Sequence, residues 1–126
     1  MAMNPDRPNN EASLQASTTS IGATPVAGWT VATNAGQLQR VFASAGGTTI
    51  GTIIVAVAIN GGSDITSGGL TIAAGTGARA ASTYEFQTNI GSAVVYVNEG
   101  DIISFTPSLG GGVSVPGAFG AVIRTI

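Results

Sequence analysis

From Trp29 to the C-terminus, apolar residues recur at every second position in short runs, and each run ends on glycine or asparagine. Ile53, Val55, Val57 and Ile59 form the strongest such series. Trp29, Val31 and Thr33 alternate with Gly28, Thr30 and Ala32, and Tyr84 and Phe86 alternate with Thr83, Glu85 and Gln87. Val95 and Val97, then Ile103 and Phe105, then Phe119, Ala121 and Ile123 continue the rhythm, and Leu38 and Phe42 share one parity in the run between. A period of two puts alternate side chains on opposite faces of a strand, so these runs predict half-buried β-strands. Asn60-Gly61-Gly62, Ser67-Gly68-Gly69, Asn98-Glu99-Gly100 and similar clusters separate them. Glycine and asparagine supply the positive φ that tight β-turns require. No segment sustains a 3.6-residue pattern.

The spacing predicts about eight strands in one domain. Eight short antiparallel strands without helices point to an all-β, eight-stranded antiparallel jelly-roll β-sandwich. An immunoglobulin-type sandwich is the rival, although its Cys-Trp-Cys spacing is missing. Residues 1–25 differ in character. They hold Pro5, Pro8 and Pro25, with Asn4, Asn9 and Asn10 and the run Ser17-Thr18-Thr19-Ser20. They are expected to form an extended polar N-terminal arm, with the sandwich at 26–126. Such a segment is either a loose terminus or an arm that orders against a partner.

Composition excludes much chemistry. The chain has no histidine and no cysteine, and all four of its cationic side chains are arginines. A zinc site of N/S ligands, a Ser-His-Asp triad and a cysteine nucleophile are therefore unavailable. Four scattered arginines make no basic stripe, so neither nucleic acid nor an anionic membrane is expected as a partner. The glycine clusters lack the Gly-Lys-Ser/Thr ending of a phosphate loop. Glu99 and Asp101 flank Gly100 as the closest carboxylate pair. Paired carboxylates serve glycoside hydrolysis, and calcium takes loop carboxylates, but a tight turn accounts for both residues. No catalytic residue, metal or cofactor is expected, and the chain is not expected to be an enzyme. Trp29, Tyr84 and Tyr96 could stack on a sugar ring, but each lies in an alternating run and reads as core or edge packing.

Charged residues make up only 8% of the chain, against roughly 25% in ordinary soluble proteins. Such a surface is covered by small polar residues, by other chains, or by both. Two faces look covered. If Ile53 to Ile59 fill the core, then Ile54, Ala56 and Ala58 face outward, where an antiparallel sheet normally carries polar residues. A loop of the same chain or another subunit would cover them. In the last strand, Val122, Arg124 and Ile126 form the second face. There Arg124 is either an edge guard or an interface arginine pairing with Glu99 or Asp101 of a neighbour.

The segments Val95–Pro107, Ile59–Gly62 and Gly117–Arg124 together resemble the small jelly-roll domains of tailed-bacteriophage virions. These occur as capsid decoration (cement) proteins and in head fibres and tail-fibre tips. The arrangement is also similar to the trimeric jelly rolls of the tumour-necrosis-factor and C1q type. The resemblance spans residues 28–126 and rests on turn-and-strand patterns. It implies a homotrimer, made in the host cytoplasm, that binds the major capsid protein on the outside of the virion. Under it, Asn4, Asp6, Arg7, Asn9 and Asn10 would anchor the arm to the shell. The fibre branch implies host-surface glycans as the ligand.

Overall fold

A computed structural model describes residues 11–22, 25–73, 81–86, 95–108 and 114–125. These form nine strands and no helix: β1 (Glu11–Ile21), β2 (Gly28–Val31), β3 (Gly36–Ala45), β4 (Ile53–Ile59), β5 (Thr71–Ile72), β6 (Ala81–Glu85), β7 (Tyr96–Val97), β8 (Ile102–Pro107) and β9 (Val115–Thr125). Their pairing is nested. β1 pairs with β9, β2 with β8, β3 with both β6 and β7, and β4 with β5, all antiparallel. The chain is thus one long hairpin closed at β4–β5. It is rolled so that β9 also meets β3 and β8 also meets β4. Rolling yields a five-stranded sheet in the order β1-β9-β3-β6, with β7 also on β3, and a four-stranded sheet in the order β2-β8-β4-β5. This is a jelly-roll β-sandwich. β6 and β7 lie along the same edge of β3, one at Arg40–Ser44 and the other at Gly36–Gln37, so they fill a single position in the roll.

The inner faces meet in one core. Leu14, Leu38, Val41, Phe119, Ala121 and Ile123 come from the larger sheet, and Ile53, Val55, Val57, Ile103 and Phe105 from the smaller. Phe105 and Phe119 stack across the interior, with ring centroids 5.1 Å apart and planes 5° apart. A fully buried aliphatic or aromatic side chain contributes about 1.5–3 kcal/mol, while an exposed ion pair contributes roughly 0–1 kcal/mol. Apolar burial therefore holds this fold, and the scarcity of charge costs it little.

The structure departs from the expectations at three places. First, residues 11–21 are not part of an arm. They form β1, in register with β9 from Glu11 opposite Arg124 to Thr18 opposite Gly117. The inward side chains are Ala12, Leu14, Ala16 and Thr18, with Ile21 buried beyond the register shift, so the two large residues Leu14 and Ile21 stand on opposite parities and show no alternation in the sequence. Second, Leu38 and Phe42 do not share a face. The β3–β9 register slips between Leu38 and Arg40, and the extra residue, Gln39, inverts the parity beyond it. Val41, Ala43 and Ala45 then point inward, while Phe42 lies on the outer face, half-buried. Third, Trp29 is not core; it is 63% exposed. Gly28 takes the inward position at that corner. A Cβ on Gly28 would stand 2.8 Å from the Ser17 carbonyl oxygen and 3.1 Å from the Phe119 ring. There is room for glycine and none for indole, so the tryptophan must face out.

Candidate functional site

Two aspartates organise the loops, and one of them, Asp101, belongs to the Glu99–Asp101 pair singled out in the sequence. Asp64, between β4 and β5, accepts hydrogen bonds at Oδ1 from the Val57 amide (3.0 Å), the Thr66 amide (2.9 Å) and the Thr66 hydroxyl (2.8 Å). Its Oδ2 accepts from the Gly68 amide at 3.0 Å. Partial burial disfavours the charged carboxylate, but these bonds outweigh it and hold the group below its ordinary value. Asp101, in the β7–β8 turn, accepts from the Asn98 amide (2.8 Å) and from Asn60 Nδ2 (3.0 Å). Those two bonds likewise lower its carboxyl. Asn60 Oδ1 in turn accepts from the Ile102 amide at 2.8 Å, clamping the β7–β8 turn to the end of β4. Gly100 between Glu99 and Asp101 has φ +92, a conformation suited to glycine. Among the described residues there is no group of three or more His, Cys, Asp or Glu side chains that could hold a metal ion.

The outer face of the four-stranded sheet has a different character. β4 presents Ile54, Ala56 and Ala58 there; Ile54 is 43% exposed and both alanines are half-buried. β2 adds Trp29 and Val31, and β8 adds Ile102. Val31 is 41% and Ile102 44% exposed. Trp29 stands opposite Ser104, which stands opposite Ala58. The indole therefore projects beside a flat shelf of small side chains. Among the described residues, no charged side chain of β2, β4, β5 or β8 lies on this face. Trp29, Val31 and Ile102 were not among the candidates. In β8 Ile102 shares its face with Ser104 and Thr106, which mask it as an ordinary polar face, and in β2 hydrophobicity alone selects the wrong face. Crowding at Gly28 is the only signal, and it is visible only in three dimensions.

The second candidate face, on β9, is less open than expected. Val122 is buried, at 4% exposure. By register it stands between Ser13 of β1 and Arg40 of β3. Arg40 is itself only half-exposed. Arg124 is exposed and lies directly opposite Glu11 of its own chain, whereas Asp101, a suggested partner in a neighbour, is engaged by Asn60 and Asn98. Ile126 and the arm residues Asn4, Asp6, Arg7, Asn9 and Asn10 lie outside the described residues.

The outer face of the five-stranded sheet carries an open groove of about 610 Å³, with Gln15 and Ser17 on one wall and Phe42, Ser44 and Thr83 on the other. Its floor is Ala118 and Gly120 of β9. A Cβ on Gly120 would collide with the Phe42 ring, so the glycine lets the ring lie down on the sheet. The groove was not foreseen, because it depends on the parity change at Gln39 that turns Phe42 outward.

Compared with protein-family models and with curated proteins, the chain matches none.

Proposed function

We propose that this chain is a structural virion protein: a decoration, or cement, protein that assembles as a homotrimer and stabilises the outer surface of a phage head by binding the major capsid protein. The observation that carries the assembling role is the uncharged apolar face formed by Trp29, Val31, Ile54, Ala56, Ala58 and Ile102 on a jelly roll of very low charge. Contiguous exposed apolar surface of this kind marks an interaction site. The phage setting comes from the turn-and-strand resemblance. In this reading the mechanism is multivalent contact: one trimer grips several capsomer surfaces at once, so each added contact costs little further entropy. The N-terminal residues, Asn4 to Asn10 among them, would reach onto the shell. Mixing the purified protein with expanded capsids that lack a decoration protein tests the function. Co-sedimentation with a rise in capsid stability is expected, and failure to co-sediment overturns the reading.

A second reading is a carbohydrate- or receptor-binding module of a head or tail fibre. The groove over Ala118 and Gly120 favours it. Its volume falls within the range of small-ligand sites, and it combines an aromatic ring with several hydroxyl and amide groups. Specific hits on a glycan array, lost on Phe42→Ala, would select this reading over the first.

A further inference from the structure

We propose that the free edge of β1 pairs with β1 of a second copy of this chain, antiparallel about a two-fold axis, joining two five-stranded sheets into one continuous sheet. Among the described residues β1 ends its sheet and pairs only with β9. Towards its C-terminal end that outer edge is covered. The Val26 amide donates to the Ser20 carbonyl, and the Thr18 hydroxyl donates to the Val26 carbonyl. Residues 11–17 have no hydrogen-bonded cover on that edge among the described residues, although the Gly28 backbone packs against the Ser17 carbonyl.

The other sheet edges are short: four residues in β2, two in β5, and five and two in the interrupted pair β6 and β7. β1 runs for eleven. Long edges in stable monomers are guarded by charge, proline or a covering loop. Between Ala12 and Ser20 there is neither a charge nor a proline.

The occupant follows from the strand's own symmetry. A two-fold that keeps core faces together must oppose residues of equal parity. The open stretch 11–17 is centred on Leu14. About that centre Leu14 meets Leu14, Ala12 meets Ala16, Ser13 meets Gln15, and Glu11 meets Ser17. No like charges face each other. Leu14 and Ala16 extend the apolar core up to the joint, while Ser13 and Gln15 stay on the outer face, where both are exposed. The pairing is independent of the trimer reading and uses none of the residues of the smaller sheet's apolar face.

Sedimentation equilibrium of the full chain tests it, alongside a Ser13→Lys/Gln15→Lys variant. In the Leu14-centred register that variant places lysine opposite lysine twice, so association should weaken about tenfold or more while the circular dichroism spectrum stays unchanged. A dimer that becomes a monomer supports the edge pairing without the trimer. A hexamer that becomes a trimer supports both. A trimer or a monomer unaffected by the variant overturns the edge pairing. The chain has no cysteine, so an equal mixture of Ser13→Cys and Gln15→Cys chains gives a second readout. The mixture should form disulfide-linked dimers faster than either variant alone, and equal rates would overturn the register. Slow amide exchange across residues 11–17 in a monomer would mean that the chain's own N-terminal residues cover the edge, which also overturns the proposal.

Discussion

Asp64 uses one carboxylate to fix a whole connection. It gathers three amides and a hydroxyl from Val57, Thr66 and Gly68. Its folded-state pKa lies below the ordinary aspartate value of 3.8. A group depressed on folding stabilises the native state in full above its unfolded pKa, and that contribution fades as the pH falls through 3.8 towards the folded value. Asp101 acts with the same sign. Resistance to urea should therefore weaken as pH drops into the carboxylate range. Asp64→Asn should remove part of that acid sensitivity, leaving Asp101's share, and should cost about 1 kcal/mol at neutral pH, allowing for its partial solvent exposure. An unchanged acid slope in the variant would refute the assignment. Thr49 makes the opposite case. Its hydroxyl is buried with no hydrogen-bond partner among the described residues, so it carries a desolvation cost with no return. Thr49→Val keeps the shape and should raise stability by about 1 kcal/mol in the same urea assay.

At the scale of single elements, legibility follows the size of the inward side chains. The inner faces of β4, β8 and β9 stand out because large apolar residues recur there, as in Ile53, Val55 and Val57 or Phe119 and Ile123. β1 hides because its inward set is mostly small. The bulge at Gln39 and the outward turn of Trp29 are not local properties at all. The first belongs to the β3–β9 register, and the second to the approach of Ser17 and Phe119 to Gly28. Gly36 shows the same dependence at the start of β3. A Cβ there would collide with the Arg124 carbonyl and the Ile123 side chain. Backbone cannot yield as a flexible side chain can. Gly36→Ala should therefore cost about 1–3 kcal/mol and loosen the β3–β9 ladder, seen as faster amide exchange at its Gly36–Thr125 end. Gly61→Ala provides the contrast. Its Cβ would meet nothing, so any loss there comes only from the positive φ of 78.

For the whole molecule, the sparse charges prove to be committed within the fold. Of the seven charged residues among those described, Glu11 faces Arg124 and Arg40 faces Glu85 across paired strands, while Asp64 and Asp101 fasten turns. Only Glu99 is left without such a place. Cross-strand pairs of opposite charge help fix register, but they leave no charged shell to keep copies apart. The four-stranded sheet then offers water an apolar face with Trp29 at its edge. The jelly roll could be read from the strand and turn pattern. Which face stays open could not, because that depends on how the strands close around Gly28. Trp29 is the only tryptophan in the chain, so its fluorescence reports on this face alone. Because the side chain is already 63% exposed, Trp29→Ala should change the free energy of urea unfolding by no more than about 0.5 kcal/mol. If the face is an interface, tryptophan is the residue type that most often carries its binding energy, and the same change should weaken association by about 2 kcal/mol, roughly thirtyfold. Emission of the native protein should move to shorter wavelength as its concentration rises and the indole leaves water. The Ser13→Lys/Gln15→Lys variant should retain that shift, because its substitutions lie on the other sheet. Emission that stays at long wavelength while the protein demonstrably associates would place the contact elsewhere and remove the main support for assembly through the smaller sheet.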